Sequence, residues 1–552
     1  MSATKDKVAE RERIALRLAD IQGNILNAYG KQGFPKGRAI FLHVDDGEKG
    51  REFLETFYDR VTTAVRWKSD NPYAPKTEVE PPERPPVTLN FAFTFNGLVA
   101  LGVPIKTLSM MPAEFLQGMR ARAPILGDTS PDGALDRWDE VWKSEAQAGS
   151  DKAVHIMVLL NSKMNPTTGN PVPEMDALTE EIRSECNRLG GVRILKGHGV
   201  GAEDYQEMSA RLMQDPETGQ YKPVPLEHFG YVDGISDPVF EGQFRPEDEN
   251  VRKVGNGKFT GKLDTPEAVN DENNWEPLAT GEFLLGYPDE AKETPPAARP
   301  NLFSTNGTFM AYRKLEEKVE DFEEYIDKTV PQFAKVYGIE DHDEARATLF
   351  AKFSGRWQDG VPLMLAPTYK DWIAFNERYQ DSVTKRAMLS RFVYINDKNG
   401  GACPASSHIR RVHPRDMLGP KDDSGTILVN RRRILRRGLP YDATNEAGER
   451  ERGIVMLICC ASLERQFEFV QQQWINYGMD SNAGNDTCPL LGIRPTDDLK
   501  FVIPNDPEIE EDGAPYICSK MPQFVEAKGG AYFFIPSMTS LRMIAIGMID
   551  PT

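Results

Sequence analysis

The stretch that decides the fold is GTFMAYR, Gly307 to Arg313, with LEEKVEDFEEYIDKTV close behind it. An apolar run of strand length gives way to a segment in which Val319, Phe322, Tyr325 and Ile326 recur at helical spacing. The same order appears in three other places. RAIFLHV, Arg38 to Val44, leads into GEKGREFLETFYDRVTTAV, where Phe53, Leu54, Phe57 and Val61 keep that spacing. The strand-like Val154 to Leu160 precedes MDALTEEIRSECNRL, and Gly453 to Ala461 precedes LERQFEFVQQQW. Further strands are expected at Leu89 to Phe95 and Ala531 to Ile535. We read one strand-and-helix unit used twice, an α+β architecture in which antiparallel sheets carry helices on one face. Strand followed by helix is common in any α+β chain, so the pattern alone leaves duplication open. Glu241 to Pro300 is acidic and dense in Gly, Pro, Asn and Asp, and reads as surface loop.

The 552 residues carry 66 Lys and Arg against 84 Asp and Glu, a formal net charge of −18, which argues against duplex nucleic acid and anionic membrane as main partners. At 39% hydrophobic and 27% charged, the chain has material for a sizeable core, and disorder over its whole length is excluded. The longest apolar run, Ile454 to Ala461, has eight residues, against the roughly 20 of a membrane-spanning helix. Met1 to Leu18 is rich in Lys, Arg and Glu and lacks the apolar segment of a secretory signal. Six cysteines without a CxxC pair suit reduced thiols in a cytosol, so a cytoplasmic location is expected.

Chemistry narrows to a few residues. Of the seven histidines, His43 and His155 fall inside apolar strand patterns and read as core, His342 lies in a charged run and reads as solvated, and His198 and His228 border Gly-rich turns and stay open. His408 lies in GGACPASSHIRRVHPRD among Arg410, Arg411 and Arg415, a cationic setting that suits a neutral, metal-ligating ring. Cys403, His408 and His413 lack the closing ligand pairs of a structural zinc site. Haem iron needs one protein ligand on one side of its ring, and arginines such as Arg410 and Arg415 suit its propionates.

A second constellation is EHFGYVDGISDPVF, Glu227 to Phe240, where Gly230 and Gly234 flank Asp233. Tight backbone turns there could push the carboxylate into a cavity, and an ordinary Asp-Gly turn accounts for the same residues. The third is RRRILRRGLPYD, five arginines interrupted by Ile434 and Leu435. Such a run is more often a solvated or anion-pairing face than a catalytic one.

Together these segments resemble the dye-decolourising peroxidase family of haem enzymes. GYVDG matches that family's G-x-x-D-G signature, HIRRVHPR resembles its haem-ligand motif, and ILRRGLPY resembles its distal-arginine motif, in the family's order. DIQGNIL (Asp20 to Leu26), ERQFEFVQQQW and GGAYFFIPSM resemble its opening and closing segments. One departure is His413, where the motif has Asn. The resemblance implies two ferredoxin-like units, 1–225 and a haem-binding 226–552 with insertions at about 241–380, as in the larger subclasses of the family. It implies haem b, with His408 as iron ligand, Arg410, Arg415 and Phe534 as further haem contacts, Asp233 as distal acid–base group and Arg436 as distal arginine. Arg436 is preferred to Arg437 because the family's arginine stands four residues before the proline of this segment, here Pro440. The implied activity reduces hydrogen peroxide and oxidises bulky organic donors such as dyes or phenolics through a high-valent iron intermediate. The chain is then expected to work as monomer or homo-oligomer, without nucleic acid or membrane. The rival reading is a haem-binding protein for haem transport, storage or iron release without peroxidase turnover.

Overall fold

The computed structural model describes residues 14–68, 82–130, 133–143, 150–201, 203–261, 266–295, 297–418, 425–484, 486–494, 499–505 and 513–550. Most of the basic and acidic segment at the N-terminus, residues 1–13, lies outside them. Ten strands form one antiparallel sheet: β1 (Lys36–Val44), β2 (Val87–Phe93), β3 (Ile156–Ser162), β4 (Val192–Ile194), β5 (Gln206–Ser209), β6 (Thr308–Glu317), β7 (Leu435–Arg436), β8 (Leu439–Thr444), β9 (Arg450–Cys460) and β10 (Val525–Ile535).

Chain order against sheet order exposes a repeat. In the first half β1 is followed by helix α1 (Gly47–Phe57) and β3 by α2 (Pro173–Leu189), and the strands lie in the order β4, β1, β3, β2. In the second half β6 is followed by α3 (Val319–Tyr337) and β9 by the π-helical turns Leu463–Glu468 and Val470–Ile475, with the order β10, β6, β9, β8. Fourth, first, third, second is the order in both, the ferredoxin-like arrangement. The two units meet where Phe534 of β10 pairs with Phe93 of β2.

Local chemistry explains the helices. Asp46 caps α1 by accepting from the Glu48 and Lys49 amides, and Phe53, Leu54 and Phe57 form its buried stripe. Pro173 opens α2 and Gly190, at φ 68°, closes it. The stripe of α3 is Val319, Phe322, Ile326, Val330 and Phe333. One core runs through both units, with Phe41 of β1 meeting Tyr312 of β6 edge-on at 5.2 Å. His43 and His155 are buried, as their strand pattern suggests, and their rings stack at 4.2 Å. His198 and His228 are tied to the carbonyls of Leu195 and Tyr441.

Glu241 to Pro300 departs from the surface-loop expectation. Phe259 and Trp275 are buried with Val254, Val269 and Val393 in a small core of their own, and Leu278, Phe283 and Leu284 enter the main one. The apolar residues are too thinly spread among Gly, Pro and Asp to show a period, yet each is large enough to anchor a turn. Nor is 241–380 a pure insertion, since it contains β6 and α3, the first strand and helix of the second unit.

Candidate functional site

β6 and β9 decide one wall of the site by alternation. Arg313, Leu315 and Glu317 on β6, and Ile454, Met456 and Ile458 on β9, project from one face of the sheet into a cavity of about 1780 Å³, mouth included. Arg436 pairs with Ile458 and so points to the same face. Arg437, one residue on, turns the other way, bonding the carbonyls of Ile25 and Leu26 and the Asp237 carboxylate. The choice of Arg436 over Arg437 thus has a geometric basis in the two-residue period of a strand.

The Glu227 to Pro238 segment forms another wall. The Val232 amide donates to the Gln358 carbonyl at 2.9 Å and the Asp233 amide to the Pro225 carbonyl at 2.8 Å, which fixes the loop. Gly230 and Gly234 have φ of 97° and 69°, the left-handed region that costs other residues strain. Between them Asp233 meets Arg436 in a two-pronged ion pair, Nη2 to Oδ1 and Nη1 to Oδ2 at 3.3 Å. Each side chain keeps 39% of its surface open, and both line the cavity. Burial pushes the Asp233 carboxyl up, but the guanidinium outweighs it and holds the group at about 2.

The third wall carries His408, the first residue of α4 (His408–Val412). Its Nδ1 lies 3.4 Å from Cys488 Sγ, and no hydrogen bond engages its Nε2 among the described residues. Burial raises the Cys488 thiol, yet the His408 ring and Arg411 outweigh that and leave it at about 7. Arg411 staples α4 to the next segment through the carbonyls of Trp474, Tyr477 and Asp486. His413 also lines the cavity; its Nε2 is buried without a partner, and burial beside Arg433, Arg415 and Arg356 holds the ring neutral.

The expected cofactor contacts divide. Arg415 lines the cavity at φ 53°, a strained backbone that turns its side chain inward. Arg410 does not: it is fully buried away from the cavity, bound to Asp397 and the Cys403 carbonyl. Adjacent positions on a short helix face different ways, and Asp397 supplies the counter-charge. Phe534 is a second correction. It lies on the cavity face of the sheet, paired with Phe309, but at the far end of β10 from cavity-lining Val525, roughly 30 Å along the strand. There it packs on Phe303 and Phe309 in the main core.

Two arginines that the motifs did not single out complete the site. Arg356 and Arg433 are buried and line the cavity with Arg415. All three donate to backbone carbonyls, and among the described residues none has a carboxylate partner. Burial and mutual repulsion pull Arg433 down to about 9 and Arg356 to about 10. Three buried cations without an ion-paired carboxylate among the described residues, relieved only by the more distant charges of Asp237 on Arg433 and Asp416 on Arg415, favour an anion beside them. A porphyrin with two carboxylates fits this residue set: the arginines would hold its acids, apolar Ile409, Val412, Met456 and Leu490 would surround it, and His408 Nε2 could bind its metal.

The chain is similar to known proteins along most of its length. Residues 20–193 match the sequence profile of the DyP dimeric alpha+beta barrel domain. A dye-decolorizing peroxidase of Mycena epipterygia is 25% identical over 96% of this chain and 87% of its own. A multifunctional dye peroxidase of an Amycolatopsis strain is 26% identical over 96% of each. Among solved structures, a dye-decolorizing peroxidase in complex with 2,6-dimethoxyphenol superposes with a TM-score of 0.65 at 23% identity, covering 96% of this chain and all of that one.

Proposed function

We infer that this chain belongs to the dye-decolourising peroxidase family and is a haem-dependent peroxidase that reduces hydrogen peroxide and oxidises bulky organic donors such as dyes or phenolics. The observation that carries the reading is the Asp233–Arg436 pair lining the same cavity as the free nitrogen of His408.

The cofactor proposed is haem b, held by His408 Nε2 at the iron and by Arg356, Arg415 and Arg433 at the propionates. Cys488 at Nδ1 orients the imidazole ring. When bound, the haem supplies the oxidising chemistry. The chain supplies proton handling and charge. Asp233, ionised above about pH 2, accepts a proton from peroxide at a carboxylate oxygen and returns it to the leaving oxygen. Arg436 stays charged throughout and stabilises the negative charge that builds there. A base of such low pKa supports an activity optimum on the acidic side of neutral. The six thiols, all free and buried, support a cytoplasmic setting.

A haem carrier needs the imidazole and the arginines but has no use for the Asp233–Arg436 pair, so the pair favours the enzyme. The absorption spectrum of purified protein tests this. We expect a Soret band that shifts on adding peroxide and returns on adding dye. A band indifferent to peroxide supports the carrier, and a His408→Ala protein with unchanged haem occupancy and spectrum moves the ligand to His413.

A further inference from the structure

Glu227 and Glu317 line the same cavity and take no part in the chemistry assigned to Asp233 and Arg436. Both are buried, at 8% and 7% exposed, and both accept from amides of one turn, which brings their carboxyl groups within reach of each other. Glu227 accepts from the Tyr231 amide at 2.6 Å and the Phe229 amide at 2.8 Å, and Glu317 accepts from the His228 amide at 3.3 Å. A hydrogen bond between two carboxyl groups requires a proton on one of them.

The groups facing the pair leave that proton in place. Asp233, on the same loop, adds negative charge. The His228 ring is turned to the Tyr441 carbonyl, and burial keeps it neutral down to about pH 4. The Tyr231 hydroxyl donates to the Phe350 carbonyl. Arg211 donates to the backbone carbonyl of Glu227, and Arg313, on the same strand face as Glu317, is held by Asp128. No cation is ion-paired with either carboxyl among the described residues, and burial pushes both upward. The cavity thus contains one carboxylate held ionised and one pair held half-protonated, set apart by whether a guanidinium is present.

We propose that the Glu227–Glu317 pair is the proton store of this cavity. The inference rests on the peroxidase reading. Converting one peroxide to two waters consumes two electrons and two protons, and donors too bulky to enter deliver electrons without placing protons inside. Asp233 starts each cycle without a proton and can only pass on what it receives. In the step assigned to the pair, the O–H bond of the protonated carboxyl breaks, its electron pair stays on that oxygen, and the proton passes to cavity water. The two carboxylates left in contact then regain a proton from solvent.

Infrared spectroscopy gives a readout independent of turnover. At neutral pH the protein, with or without haem, should show the carbonyl stretch of a protonated buried carboxyl, shifted in D2O, which Glu317→Gln abolishes and Asp233→Asn retains. Glu317→Gln keeps an N–H for Glu227 and loses the transferable proton. With peroxide and a bulky dye, its turnover should fall by about tenfold or more, and the loss should grow as pH rises from 5 to 8, whereas a purely structural defect lowers turnover alike at every pH. The store is overturned by absence of the band from the parent protein, which needs no variant, or by Glu317→Gln turning over at the parental rate throughout. A parent protein without any peroxide-dependent oxidation overturns both the store and the peroxidase reading.

Discussion

Arg436 and Arg437 adjoin in the chain and meet different fates, one in the cavity beside Asp233 and one tied to the backbone of Ile25 and Leu26. Replacing Arg436 by Leu removes the cation that holds Asp233 ionised and that is proposed to stabilise the leaving oxygen. We expect the rate of reaction with peroxide to fall by about 10²- to 10³-fold while haem content changes little, measured by stopped-flow absorbance and by haem-to-protein ratio. The sign of the pH effect follows from a depressed carboxyl. In the parent the active carboxylate persists until pH falls towards about 2; without the guanidinium, burial alone acts and the acid limb of the rate profile moves to higher pH. Arg433 gives a separable test. Arg433→Ala should weaken haem binding by about tenfold or more, read by titrating haem into apoprotein, because an anion loses one of three buried cations that have no ion-paired carboxylate among the described residues. Asp233, His408 and Arg436 were legible as motif positions. Arg356 was not, because nothing around it in the chain marks it as facing a cavity.

At the scale of elements, the loop carrying Asp233 and the π-helical turns beside the cavity are the irregular parts. Gly234 has φ 69°, and a β-carbon there would also meet the Lys31 side chain at 2.8 Å. We expect Gly234→Ala to cost about 1–3 kcal/mol in thermal denaturation and to slow the peroxide reaction by displacing the carboxylate. The helix expected from LERQFEFVQQQW forms, wound as π-helical turns, and Phe467, Val470 and Ile475 line the cavity from it. Hydrophobic period shows that such a segment is helical but not how tightly it is wound, because the extra residue per turn is selected by what packs against it.

At the scale of the molecule, the repeated fourth-first-third-second strand order builds one sheet from two units, and among the described residues only the second presents a face to the cavity. Phe534 tests the division between core and site. Phe534→Ala should lower stability by about 3–5 kcal/mol, seen in the thermal melt of the apoprotein, and leave the absorption spectrum of the haem-loaded protein unchanged. A shifted Soret band would return Phe534 to the cofactor.

The amino-acid sequence by itself carried the strand-then-helix pattern, though not its duplication, and the order of acid, imidazole and guanidinium, because period and motif are properties of neighbours in the chain. Tertiary structure alone decided which cations remain unpaired. Arg410 found Asp397, whereas Arg356, Arg415 and Arg433, from three separate segments, converged without an ion-paired carboxylate among the described residues. Whether a buried charge has a partner depends on segments far apart in sequence, and packing brings those together.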